Sequence, residues 1–138
     1  MSEEENKAVV CRFIEEVWNE HNQSSIEEVV APDYLNHAAP PEHPRGITGA
    51  KHTLHWLMAA FPDTRFDIEG IIADGDMVAI RGTNSGTHEG EFAGLLPTGK
   101  HYAVQHMHWF RVAEGKIAEH WVVRDDLGMS QQLGGVHT

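Results

Sequence analysis

The hydrophobic pattern changes period once, at Pro62, and that change limits the fold more than any other feature of the chain. Before it, Val10, Phe13, Ile14, Val17 and Trp18 recur at helical spacing, and Leu54, Leu57, Met58 and Phe61 form a second apolar stripe. After it the pattern is that of strands: Phe66, Ile68 and Ile72, then Met77 to Gly86, Tyr102 to Val112 and Lys116 to Arg124. Helices first and an antiparallel meander after them is an α+β arrangement. A strongly curved, mostly antiparallel sheet folded over the N-terminal helices leaves an open-ended cone.

Local signals set the boundaries. Ser2 with Glu5 reads as a capping box that opens the first helix, and Asn22 ends it. Ser25 with Glu28 reads as a second box for one or two turns, stopped by Pro32. Pro40, Pro41 and Pro44 make 36–46 a loop. A third helix is expected from about Gly49 to Phe61, with Pro62 just beyond it. Asp74-Gly75-Asp76 is a hairpin turn, Gly86 to Gly99 a glycine-rich stretch, and Asp126 to Leu133 a closing helix. No linker or repeat interrupts the chain, and 138 residues suit one domain over 1–138.

Composition excludes several functions. A formal net charge of −11 repels a polyanion, so no nucleic-acid partner is expected. No apolar run approaches the ~20 residues of a membrane helix. The start, with Glu3, Glu4 and Glu5, is unlike a secretory signal and points to the cytoplasm. A single cysteine, Cys11, allows no internal disulfide, and its apolar surroundings from Ala8 to Ile14 read it as a small buried hydrophobe.

The unusual count is eleven histidines against ten lysines and arginines together. Histidine serves as general acid or base, metal ligand or polar pocket wall. His137, near the chain end, is set aside. The last hairpin decides which of the others meet. A two-residue turn would force Glu114 to positive φ, which Glu resists, so a three-residue turn Ala113-Glu114-Gly115 is expected. It pairs Val112 with Lys116, His108 with His120 and His106 with Val122. Alternation then puts His106, His108, Phe110, Ala118, His120, Val122 and Arg124 on one face. Met107, Trp109, Arg111, Ile117, Glu119, Trp121 and Val123 share the other, which suits cover by a second subunit or a helix. The histidine face, with an arginine among apolar side chains, suits a small-ligand pocket.

Several motifs together resemble the SnoaL-like polyketide cyclases, a branch of the nuclear-transport-factor-two-like superfamily. They are Ala31-Pro-Asp-Tyr-Leu-Asn36, Gly86-Thr-His-Glu-Gly90 followed by Pro97-Thr-Gly99, Ala113-Glu-Gly-Lys-Ile117, and Glu119-His-Trp121 followed by Asp125-Asp-Leu-Gly128 and Gln132-Leu-Gly134. The resemblance covers nearly the whole chain. It implies a conical α+β barrel, commonly a homodimer, with no metal or organic cofactor. It also implies ring closure by intramolecular aldol condensation, in which a carboxylate removes a proton next to a carbonyl. By the same comparison Asn36 and His108 match pocket positions, Trp18 matches an apolar wall and His88 fits the family pattern. The sequence departs from the cyclases at one place: their acid/base Asp follows a His by two residues, and here Val122 follows His120.

The expected catalysts are therefore His108 and His120. Asp125 has two readings, as the missing carboxylate or as the cap of the helix starting at Asp126. Asn36, His106, His88, Arg124, Trp18, Phe110 and Val122 are expected around the ligand, with Trp56 and Phe61 as further candidate walls. His106, His108 and His120 offer three nitrogens of the kind zinc sites use. Such spacing is common on strands, however, and the resemblance argues against a metal, so none is expected. The function indicated is acid/base chemistry on a small hydrophobic carbonyl compound, of the cyclase, isomerase or hydratase type. A ligand-binding protein without turnover, or a hydroxylase or hydrolase on the same fold, are the alternatives.

Overall fold

The computed structural model describes residues 2–135; Met1 and residues 136–138, including His137, lie outside the described residues. Helix α1 (Glu3–Arg12) opens on the expected capping box, with Glu5 N–H donating to Ser2 Oγ and Ser2 N–H to the Glu5 carboxylate. It continues as a π-helical segment, Phe13–Asn19. Val10, Phe13, Ile14 and Val17 are buried as their spacing requires. Cys11 is exposed, which corrects its reading as a buried hydrophobe. It stands next to Val10 in sequence, and so about 100° around the helix from the buried stripe.

Asn22 does not end the first helix; it caps the second. Ser24 N–H donates to Asn22 Oδ1 at the start of α2 (Gln23–Val29). Ser25, expected as a cap, is buried inside α2 and donates its hydroxyl to Glu16 at 2.7 Å. Strand β1 (Val30–Asn36) follows at once, although the hydrophobic pattern does not announce it. It lies at the sheet edge, and its pairing breaks between Val30 and Leu35. Pro32 and Asp33 are exposed in that break, where the missing proline N–H costs no ladder bond.

Helix α3 (Gly46–Ala60) starts three residues before the expected Gly49. Strands β2 (Arg65–Asp74), β3 (Met77–Thr87), β4 (His101–Ala113) and β5 (Lys116–Arg124), and helix α4 (Asp126–Leu133), complete the chain. The sheet runs β1-β5-β4-β3-β2, with β1 parallel to β5 and the rest antiparallel. This is the expected α+β cone, built on a mixed five-stranded sheet that does not close. Val10, Phe13, Ile14, Val17 and Ile26 pack from the helices against Phe66, Val78, Ile80, Phe110, Val112 and Ile117 of the strands.

The last hairpin corrects the expected register. Ala113 pairs with Lys116 across a two-residue turn, with Glu114 at φ 52° and Gly115 at φ 76°. Glu114 thus adopts the conformation that its side chain resists. That turn alone would slip the pairing by one residue and point His120 outward. A β-bulge restores the face: the register shifts between Arg111 and Val112, leaving Ala118 as the extra residue. Ile117 and Ala118 are then both buried, so Ile117 belongs to the core and not to the outer face. Beyond the bulge Phe110 faces His120, His108 faces Val122 and His106 faces Arg124. His108 and His120 are diagonal neighbours, not direct partners. The displacement totals two residues, so the three imidazoles keep one common face.

Candidate functional site

Strand β4 alternates strictly, burying Tyr102, Val104, His106, His108, Phe110 and Val112. Three of these side chains, with β5 and the helices, bound a cavity of about 520 Å³ inside the cone. His106 and His108 of β4 and His120, Val122 and Arg124 of β5 form one wall. Trp18, Asn36 and Trp56 stand against them, and Pro40, Pro41 and Phe92 come from loops.

The wall carries a continuous hydrogen-bonded chain. Tyr34 Oη lies 3.0 Å from His120 Nδ1, His120 Nε2 lies 2.7 Å from His108 Nδ1, and His108 Nε2 lies 3.2 Å from His106 Nδ1. Tyr34 comes from β1, which runs beside β5 and sets Asn36 against His120. Phe110 stacks on His120 with ring centroids 4.3 Å apart and an interplanar angle of 16°, holding that ring from the core side. The nitrogens face one another in a line and do not converge on a point, as ligands of one ion would. Among the described residues no three His, Cys, Asp or Glu side chains are grouped to hold a metal ion.

Burial governs the charge of this chain. It holds His106 down to about 4, helped by the Arg124 guanidinium. It holds His120 down to about 3, again with Arg124 as the next cause. His108 lies well below the ordinary imidazole range, first through burial and then through its two imidazole neighbours. All three rings are neutral near pH 7 and each has one donor and one acceptor nitrogen.

A second polar group lines the same cavity. Tyr102 donates to Asn84 Oδ1 at 2.9 Å, and Asn84 Nδ2 donates to Thr64 Oγ1 at 3.3 Å and to the Arg65 carbonyl at 3.0 Å. Burial pushes the Tyr102 phenol up to about 12, so it is a donor and not an anion. Trp18 adds a buried indole N–H with no partner among the described residues.

Of the residues singled out from the sequence, His106, His108, His120, Asn36, Arg124, Trp18 and Val122 come together around the cavity. Trp56 joins them as expected, and four others stand apart from the lining. Phe61, expected as a wall, is fully buried in a core cluster with Ala60, Tyr102 and Val104. Phe110 is in the core behind the imidazoles. His88 is fully buried, accepts from Thr98 N–H at 3.3 Å and packs on Phe61, so it ties down the glycine-rich loop. Asp125 accepts from Gly128 N–H at 2.8 Å as the N-cap of α4. The neighbouring Asp126 is the carboxylate that reaches the cavity, 3.3 Å from Arg124. Tyr34, Thr64, Asn84, Tyr102 and Asp126 were not expected at the site. Tyr102 shares the parity of His106 and His108 on β4, a signal that could have found it. Tyr34 sits on a strand with no periodic signature.

A family model described as SnoaL-like polyketide cyclase matches residues 8–133. The chain belongs to the SnoaL-like polyketide cyclase family. Nogalonic acid methyl ester cyclase of Streptomyces nogalater is 32% identical over 122 residues, 85% of this chain and 89% of that one. Aklanonic acid methyl ester cyclase DauD of Streptomyces sp. (strain C5) is 29% identical over 128 residues, 91% and 80% of the two chains. The solved structure of TsrD from Streptomyces laurentii covers 99% of each chain with a TM-score of 0.89 at 24% identity, which is a likeness of fold. In this SnoaL-like chain the side chain directly across the strand pair from His108 is Val122, in the cavity wall. Among the described residues no helix is long and apolar enough to cross a membrane.

Proposed function

We propose that this SnoaL-like chain is a cofactor-independent enzyme for a small, largely apolar carbonyl compound, using acid/base chemistry of the ring-closing, isomerising or hydrating kind. The observation that carries the reading is the buried imidazole chain in the cavity wall. A row of neutral imidazoles can give the ligand a proton at its cavity end and take one back there, with the hydrogen bonds between the rings holding each in place. Rings of low basicity also suit donation to an oxygen that becomes negative as an enolate forms. His108, central in the row, is the proposed catalyst, acting on the ligand through its Nε2···Nδ1 hydrogen bond to His106, and His120 holds it from the core side. His106, Asn36 and Arg124 orient the ligand, and Trp18 and Val122 give it apolar walls. His88, Phe110 and Asp125 act through the loop, rings and helix that they hold. The enzyme works as a single SnoaL-like domain in the cytoplasm, as a homodimer, without nucleic-acid or membrane partners.

A second reading, a ligand-binding protein without turnover, is favoured by one observation: Val122 leaves no carboxylate opposite His108. One experiment separates the two. Nogalonic and aklanonic acid methyl esters, the compounds in the relatives' names, are incubated with the wild type, His108→Gln and Val122→Asp, and products are followed by chromatography. Wild-type turnover that falls about 10²- to 10⁴-fold in His108→Gln is expected of the enzyme. Binding without turnover in the wild type, with activity gained in Val122→Asp, identifies the binding protein. Wild-type turnover unchanged in His108→Gln removes His108 as catalyst.

A further inference from the structure

Tyr34 is buried, and among the described residues its hydroxyl has one hydrogen-bond partner, His120 Nδ1. If Tyr34 accepted a proton from that nitrogen, its own hydroxyl proton would lack an acceptor. If it donates, the unpartnered donor lies instead at the His106 end of the chain, in the cavity lining, and a donor left without a partner in the core is the costlier outcome. Donation fixes the rest, because a neutral imidazole carries a single N–H. With Nδ1 accepting, His120 holds its proton on Nε2 and donates it to His108 Nδ1. His108 then holds its proton on Nε2 and donates it to His106 Nδ1. His106 is left with its proton on Nε2, the open end of the chain, which has no protein partner among the described residues. His106 lines the cavity, and Arg124, also in the lining, is its direct partner across the strands.

We propose that Tyr34 is the positioning residue that sets the tautomer of all three histidines, and that His106 Nε2–H beside Arg124 receives a negatively charged or enolic oxygen of the ligand. The proposed acid/base reading is the basis for what this donor does in turnover. The proton order itself depends on Tyr34 and burial alone. A ligand class follows: compounds with a carboxylate, phenolate or enolisable carbonyl oxygen at one end and an apolar body behind it. A carboxylate of this kind would be held by two donors, one neutral and one cationic, on the guanidinium nitrogens of Arg124 other than the Nε that lies 3.3 Å from Asp126.

Long-range proton–nitrogen correlation spectra of the full chain, labelled at histidine nitrogens, test both halves at neutral pH. The expected wild-type pattern is Nε2–H on His106, His108 and His120. Nδ1–H on any of the three in the wild type overturns the proposed order, whether or not a variant folds. In Tyr34→Phe, which deletes one oxygen atom, His120 Nδ1 loses its donor, so its nitrogen resonance should move toward that of a free, unprotonated imidazole nitrogen. An unchanged His120 Nδ1 resonance there overturns the role of Tyr34. Benzoate is the probe for the open end: its addition should shift His106 Nε2 most, and Arg124→Met should weaken its binding about tenfold. Absence of a shift, or one centred on another ring, overturns the ligand assignment. Turnover lost in His108→Gln alongside a wrong tautomer order would refute this inference and leave the acid/base reading standing.

Discussion

A buried neutral histidine makes stability depend on acid, and this chain has three of them in contact. Each has a folded-state pKa below the ~6.5 of an unfolded chain, about 4 for His106, about 3 for His120, and well below the ordinary range for His108. As pH falls through ~6.5 the unfolded state takes up protons that the folded state refuses, so stability falls with pH. Each ring's contribution is complete above that value and is lost as pH drops toward the folded pKa. Urea unfolding between pH 7.5 and 5 should therefore show falling stability, with a slope that steepens toward three protons as the medium acidifies. His106→Gln should remove about one proton from the slope. A flat profile from pH 7.5 to 5 would mean that these rings are not desolvated as described. The three histidines were legible in the sequence because side-chain period on a strand survives a slip of two residues. Tyr34 was not, because nothing near Pro32 has the period of a strand, and only pairing with β5 places its hydroxyl at His120.

Elements were legible where local chemistry decides them. The Ser2–Glu5 box, the Asp74-Gly75-Asp76 turn and the Asp126–Leu133 helix all form where the sequence puts them. The β4–β5 hairpin was misread because its turn is decided by the tertiary pairing that follows it. The Ala118 bulge adds one residue of displacement, and only a turn that contributes one more leaves the histidines inward. The core thus imposes positive φ on Glu114 against local preference. That strain yields a prediction. Glu114→Asn gives the turn the Asn-Gly pair that such hairpins favour, and should stabilise the protein by about 1 kcal/mol, read as a higher midpoint in thermal unfolding. The imidazole tautomers should not change, because the pairing is the same. A lower midpoint would show that Glu114 contributes something that outweighs its backbone cost.

At the scale of the whole molecule, the sheet has two faces with different tasks. The inner face is filled by helices and by the cavity. Among the described residues no helix covers the outer face, yet it is apolar along two adjacent cross-strand rows. Ile72, Ala79, Trp109 and Trp121 form one row, and Gly70, Arg81, Met107 and Val123 the next. Ile72 is 70% exposed, Met107 61%, Trp109 49% and Val123 75%, which in one patch exceeds the scattered exposure of ordinary surfaces. The charges there are already paired: Arg81 with Glu69 at 3.4 Å, and Arg111 with Glu119 at 2.8 Å. An apolar centre with a self-satisfied polar rim is the anatomy of a protein interface. Two copies packed sheet against sheet would cover both patches by one symmetric contact and keep both cavities, which open on the opposite face. The proposed homodimer therefore makes a sharp demand on Trp109. Trp109→Glu should convert a species of twice the monomer mass, measured by light scattering, into monomer. The histidine spectrum should persist, because Trp109 points away from the imidazole chain. A wild type that is monomeric at the concentrations of NMR spectroscopy would assign this face to some other partner, and would leave the cavity and its chemistry untouched.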